Sequence, residues 1–162
     1  MQYSKFRIKP IIIKRKERIL SNCEKRYYNH IDYKYVEGDL DIYTDGSVIG
    51  NGTKNATGGY GVFFSNPQIP YISEDLKGKV TNNIAELKAI IEALKVVKRR
   101  KESNIVIYYD SDYAAGVITG RKNAHVNLDL VKEGKDLLCS LNSTKFIKFE
   151  HVYSHTGNDD IH

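Results

Sequence analysis

Cysteine is scarce in this 162-residue chain: there are two, Cys23 and Cys139. They lie far apart and show no metal-ligand spacing, which excludes a disulfide scaffold and a zinc knuckle. The expectation is two reduced thiols, with Cys139 half-buried on a helix. Long apolar runs are also lacking. Pro10-Ile11-Ile12-Ile13 and Ile105-Val106-Ile107-Tyr108-Tyr109 are far short of the roughly 20 residues a bilayer-spanning helix needs. No secretory apolar region follows the start, so the reading is an intracellular, cytoplasmic protein without a membrane partner. There is no internal repeat and no low-complexity tract. The hydrophobic fraction of 41% suffices for a packed core and excludes wholesale disorder.

Charge is present but unevenly placed. The net charge is +5. From Met1 to Gly38, ten Lys and Arg stand against four Asp and Glu; from Asp39 to His162, fifteen stand against sixteen. The chain therefore divides into a basic N-terminal segment, 1–38, and a nearly neutral domain, 39–162. Lys14-Arg15-Lys16 with Arg18, and Lys25-Arg26 followed by two tyrosines, suit a polyanion such as nucleic acid. The plain alternative is a solvated leader with no specific partner. A short helix within 11–20 is weakly supported.

Beyond Gly38 the pattern sharpens. Leu40 to Thr44 alternates and reads as a strand ending in Asp45-Gly46-Ser47. Residues 50–59, rich in Gly, Asn and Thr, read as a hairpin loop. Tyr60 to Ser65 and Tyr71 to Lys77 follow as strands. Thr81-Asn82-Asn83 offers N-cap chemistry. The apolar stripe Ile84, Leu87, Ile90, Ile91, Leu94, Val97 marks an amphipathic helix reaching Lys101. Lys98-Arg99-Arg100-Lys101 at its end complements the helix dipole, with nucleic-acid contact as the alternative role. Ile105 to Tyr109 reads as a buried central strand ending in Asp110-Ser111-Asp112. A short helix over 113–118, a second amphipathic helix over 127–141 with Leu128, Val131, Leu137, Leu138 and Leu141 facing inward, and a last strand over 145–153 complete the order. The fold class is α/β, a five-stranded mixed sheet flanked by helices.

Three acids stand at element ends: Asp45 and Asp110 after strands, Glu86 in the first turns of the long helix. Each alone is an ordinary turn former or cap. Together they form a donor set for a hard divalent cation such as Mg2+, which takes carboxylate oxygens, at the strand ends where open α/β sheets bind ligands.

The motifs Thr44-Asp45-Gly46-Ser47, Gly58-Gly59-Tyr60-Gly61, Thr81-Asn82-Asn83-Ile84-Ala85-Glu86 and Tyr109-Asp110-Ser111 resemble, in order and spacing, those of type 1 ribonucleases H. Asn127-Leu128-Asp129-Leu130 resembles that family's late-helix start, and His155-Thr156-Gly157 its His-x-Gly. The resemblance covers residues 39–162. It implies a ribonuclease H-like fold and an endonuclease that cuts the RNA strand of RNA–DNA hybrids with two Mg2+ ions, Mn2+ being an alternative. Asp45, Glu86 and Asp110 would hold the metals, with Asp45 bridging both. His155 would assist proton transfer or product release. Gly46, Ser47, Asn82, Asn83 and Asn127 would meet the hybrid; capping is the structural alternative for Asn82 and Asn127.

Two departures stand out. The family carries a fourth acid roughly ten residues past the His-x-Gly histidine, on a terminal helix, and the chain ends seven residues after His155. Asp159 and Asp160 read as loop residues and do not inherit its role. The resemblance therefore implies a C-terminally truncated member, impaired at the metal on the nucleophile side, with part of one sheet face uncovered. The alternatives are a non-catalytic nucleic-acid-binding module, or a fragment of a split or larger protein that a complementing chain completes with the C-terminal helix. The second departure is Arg121 to Val126, where many bacterial members insert a basic helix that grips the hybrid. The basic segment 1–38 is the candidate replacement.

Overall fold

The computed structural model describes residues 28–29, 34–35 and 39–152. The expected helix within 11–20, the remainder of the basic segment, Cys23, Tyr153, His155, Asp159 and Asp160 lie outside them. Within the basic segment, β1 (Tyr28–Asn29) and β2 (Lys34–Tyr35) form a small antiparallel pair. The domain then runs β3 (Asp39–Ile49), β4 (Thr57–Phe64), β5 (Ile72–Lys77), α1 (Asn82–Arg99), β6 (Asn104–Tyr109), α2 (Asp112–Thr119), α3 (Leu128–Leu141) and β7 (Phe146–His151). The five-stranded sheet has the order β5-β4-β3-β6-β7. Its β5-β4-β3 half is antiparallel, and β3, β6 and β7 are parallel. Parallel neighbours require a crossover, which α1 supplies between β5 and β6 and the α2–α3 pair between β6 and β7.

Periodicity decides which way each element faces. Leu40 and Ile42 on β3, Val62 on β4, and Ile105 and Ile107 on β6 lie in one core with Leu87, Ile90, Leu94 and Val97 of α1. All three helices contribute to that core, so they lie on one face of the sheet. On the other face the resemblance implies an uncovered strip, and the structure differs. Tyr43, Phe63, Val106 and Tyr108 are all buried there, with Val152 packed against them. Aromatic rings tile this face by stacking across strands, Tyr43 on Tyr108 at 4.8 Å and Phe63 on Tyr71 at 5.2 Å.

Three boundaries and two burial expectations depart from the sequence reading. β3 and β4 run further toward their turn than alternation implies, so Gly58 and Gly59 pair with Val48 and Ser47 instead of standing in the loop. A Cβ on Gly58 would lie 2.1 Å from the Ser47 carbonyl oxygen, so a residue type that reads as loop is here what lets two strands approach. α1 stops at Arg99, because Arg100 is extended and its side chain turns to Glu102. Leu128 is 59% exposed and Cys139 is exposed; α3 packs through Val131, Gly134 and Leu141, and these two lie off that stripe.

Candidate metal centre

The site begins where two parallel strands part. β3 and β6 pair as far as Tyr43 opposite Tyr108. At the next residue the Thr44 hydroxyl donates to the Tyr108 carbonyl at 2.9 Å, a side chain completing what the ladder no longer supplies. β3 continues against β4 alone, and its other edge opens. Asp45 stands at that opening, and Asp110 directly follows β6.

Glu86 reaches the same place from α1. The helix starts at a side-chain cap: Thr81 Oγ1 accepts from the Ile84 N–H at 3.1 Å. It then crosses β3 at Gly46. A Cβ there would fall 2.7 Å from the Ala85 carbonyl carbon and 2.8 Å from the Glu86 nitrogen. Only glycine permits this approach, and the approach is what brings Glu86 beside Asp45. Each of Asp45, Glu86 and Asp110 offers a carboxylate oxygen, and these oxygens lie within 4.8 Å of one another. Among the described residues no other group of His, Cys, Asp and Glu is gathered so closely.

Asp45 and Glu86 are 4% and 3% exposed, so their charges are poorly solvated. Glu86 Oε1 accepts from the Gly46 N–H at 3.3 Å, while Oε2 is buried and accepts from no N–H among the described residues. Burial first, then the negative charges of Asp110 and Asp45, push the Glu86 carboxyl up to about 10; the Gly46 N–H opposes them weakly. Without a cation the site therefore keeps a proton at neutral pH. A buried all-oxygen donor set that retains a proton between its carboxylates fits a hard divalent cation, which would displace that proton.

The structure brings the three predicted acids together. Of the predicted substrate residues, Gly46 makes the close crossing and Ser47 follows it on β3. Asn82 does not cap α1, since Thr81 does so; its Oδ1 instead accepts from the Val48 N–H at 2.9 Å. Asn83 is half-buried in the first turn of α1. Asn127 precedes α3 with φ 57° and makes no side-chain cap bond; asparagine tolerates this left-handed geometry better than most residues.

Three neighbours escaped the sequence reading. His151 stacks on Tyr109 with ring centroids 5.1 Å apart, and its Nε2 donates to the Asp110 carbonyl at 2.9 Å. That bond steadies the backbone carrying an acid, yet it spans 41 residues and depends on the register of β7 against β6. Asn51 holds the start of α1, its Oδ1 accepting from the Asn82 N–H at 2.6 Å. Asp112, read only as part of a turn, pairs with Arg121 at 2.8 Å and with Lys122 at 3.2 Å. These hydrogen bonds and charges hold its carboxyl down at about 2. Away from the site, Asp41 is also buried, and its carboxyl is raised by burial and by Glu150.

Comparison with known proteins agrees with this geometry. The family model described as RNase H matches residues 37–161. A Saccharomyces cerevisiae protein named Ribonuclease H is 35% identical over 123 residues, covering 70% of this chain but 34% of its own length. The chain thus spans about a third of that relative. A Clostridium botulinum Ribonuclease H is 33% identical over 132 residues, covering 73% of this chain and 85% of its own. Among solved structures, LC11-RNase H1 in complex with an RNA/DNA hybrid superposes with a TM-score of 0.54 at 22% identity, covering 70% of this chain and 84% of that one.

Proposed function

The chain belongs to the RNase H family, and from that premise we propose that it hydrolyses the RNA strand of RNA–DNA hybrids at the Asp45–Glu86–Asp110 centre. The observation that carries the reading is the convergence of three carboxylates within 4.8 Å, one from within β3, one from just past the end of β6 and one from a helix. Asp45 would serve both of two Mg2+ ions, with Mn2+ as a substitute; Glu86 and Asp110 would hold one of them. Bound cations of this kind supply charge stabilisation for the attacking and leaving oxygens of an in-line phosphodiester displacement. The chain's own part is to hold the carboxylates rigidly, through the Gly46 crossing, and to keep the site partly dry.

A hybrid is the favoured substrate because the similar LC11 enzyme was solved with one and because the family motifs bring amide side chains with the acids. Asn82, Asn83, Asn127 and Ser47 offer donors and acceptors suited to minor-groove edges and 2′-hydroxyls, the groups that distinguish RNA from DNA. His155 would assist proton transfer or product release. Phosphate affinity would come from the basic segment 1–38.

The test uses labelled RNA–DNA hybrid, double-stranded RNA and double-stranded DNA with Mg2+ or Mn2+. Cleavage of the RNA strand of the hybrid, abolished by EDTA and by Asp45→Asn, supports the reading. Equal cleavage of double-stranded DNA would overturn it. Salt-sensitive binding of the hybrid without any cleavage would mean a nucleic-acid-binding module instead.

A further inference from the structure

Where β3 loses β6 as a neighbour, its backbone donors on the open edge need new partners. Two side chains of α1 supply them. The Gly46 N–H donates to Glu86 Oε1 at 3.3 Å, and the Val48 N–H donates to Asn82 Oδ1 at 2.9 Å. The acceptors are four residues apart on a helix and the donors two apart on a strand. Four helical residues rise about 6 Å and two strand residues about 6.5 Å. The two spacings match, so helix and strand lie side by side with two rungs between them. The rungs are unequal. Glu86 belongs to the longer one and is the group a cation recruits; Asn82 belongs to the shorter one and is itself held by Asn51 at 2.6 Å. The Gly52 N–H donates to the Val80 carbonyl at 2.9 Å beside it, anchoring the same hairpin loop to the same helix start.

We infer that Asn82 is a positioning residue. With Asn51 it keeps the first turn of α1 in register with β3, so that Glu86 stays aimed at Asp45 and Asp110 when a cation draws it from the Gly46 N–H. This role rests on the metal-centre reading and is additional to contact with the hybrid, because it acts before any nucleic acid is bound. It differs from helix capping, which Thr81 performs.

The experiment compares the full chain with Asn82→Ala, Asn82→Asp and Asn51→Ala. Asn82→Asp keeps an oxygen acceptor for the Val48 N–H and loses the side-chain donor. Three readings are taken: Mn2+ affinity without nucleic acid, hydrogen exchange at the Val48 and Gly46 amides, and kcat and KM on a hybrid. Asn82→Ala should speed Val48 exchange roughly tenfold, as expected for a lost local tie. It should weaken Mn2+ binding without nucleic acid roughly three- to tenfold, which loss of a hybrid contact alone would not do, and lower kcat. Asn82→Asp should restore Val48 protection, and Asn51→Ala should act in the same direction as Asn82→Ala but more weakly. A rise in KM alone, with Mn2+ affinity and Val48 protection intact, would make Asn82 a substrate contact and overturn the inference. If Asn82→Ala does not fold, Asn51→Ala decides: unchanged Val48 exchange and Mn2+ affinity in it would overturn the inference equally. Failure of the unsubstituted chain to bind Mn2+ would sink the metal-centre reading, and the Val48 exchange would still decide whether Asn82 holds the helix.

Discussion

Replacing Glu86 by glutamine should make the cation-free protein more stable while removing its capacity to bind metal. The Glu86 carboxyl is pushed from 4.5 up to about 10 by burial and by Asp110 and Asp45. A carboxyl raised in the folded state stabilises fully only below its unfolded value, and that contribution declines as pH rises through the window from 4.5 toward 10. At neutral pH the unfolded chain has released the proton and the folded chain has not. Each pH unit above the unfolded value costs the fold up to ~1.4 kcal/mol, so up to about 3 kcal/mol at pH 7. Glutamine has nearly the same shape, does not titrate, and offers donors to the two aspartates.

In EDTA at pH 7, Glu86→Gln should therefore exceed the unsubstituted protein by about 1–3 kcal/mol, or roughly 4–12 °C in Tm. At pH 5 the gap should shrink below about 1 kcal/mol. Saturating Mn2+ should reverse the order, since a ligand at a hundred times its Kd stabilises by about 2.7 kcal/mol and the variant gains little. Thermal unfolding followed by circular dichroism, with and without Mn2+ across pH 5–8, reads all of this. A variant less stable than the parent in EDTA at pH 7, or a gap independent of pH, would refute the account of a proton held by burial and neighbouring charge.

Asp45→Asn and Asp110→Asn should each lower hybrid cleavage by at least ~100-fold and weaken Mn2+ binding seen by calorimetry, because each removes an anionic ligand. Gly46→Ala should cost about 2–4 kcal/mol in urea unfolding and depress Mn2+ affinity together, since the new methyl displaces α1 from β3; a variant unchanged in both would show the crossing to be loose. Neutralising Lys14, Arg15, Lys16, Lys25 and Arg26 to glutamine should weaken hybrid binding and flatten its salt dependence by roughly one unit per lost phosphate contact, while Mn2+ affinity stays the same. An unchanged slope would remove the basic segment from substrate binding.

The elements that position the acids are legible in sequence because their signals are local. Alternation gives β3, the apolar stripe gives α1, and the continuous run Ile105 to Tyr109 gives β6. Asp110 then follows β6 by simple counting, whereas Asp45, read as a strand end, lies within β3, which runs on against β4 to Ile49. What eluded the sequence depends on how elements sit against one another. Gly58 carries loop composition, yet a strand approaches it too closely for any side chain. Asn82 carries cap chemistry, yet the cap is Thr81 and the amide serves an edge that β6 abandons. His151 looks like one member of an alternating strand, and only the β6–β7 register brings it to the Asp110 carbonyl.

The same distinction bears on where a polyanion is gripped. Sequence offers two basic clusters inside the domain, and the structure weakens both. Lys98 to Lys101 follow Glu86 by at least twelve residues, about 18 Å along the helix at its usual rise. Arg100 among them is committed to Glu102 at 2.8 Å. Arg121 and Lys122 occupy the short loop where relatives insert a basic helix, and Asp112 engages both. Charges already paired release fewer counterions when a phosphate arrives, so they add little to affinity. A domain with fifteen cations against sixteen anions, with Arg100 and Arg121 already engaged, gains from phosphate contacts elsewhere if it is to hold a hybrid against physiological salt. The excess of six positive charges within Met1 to Gly38 is the proposed source of them.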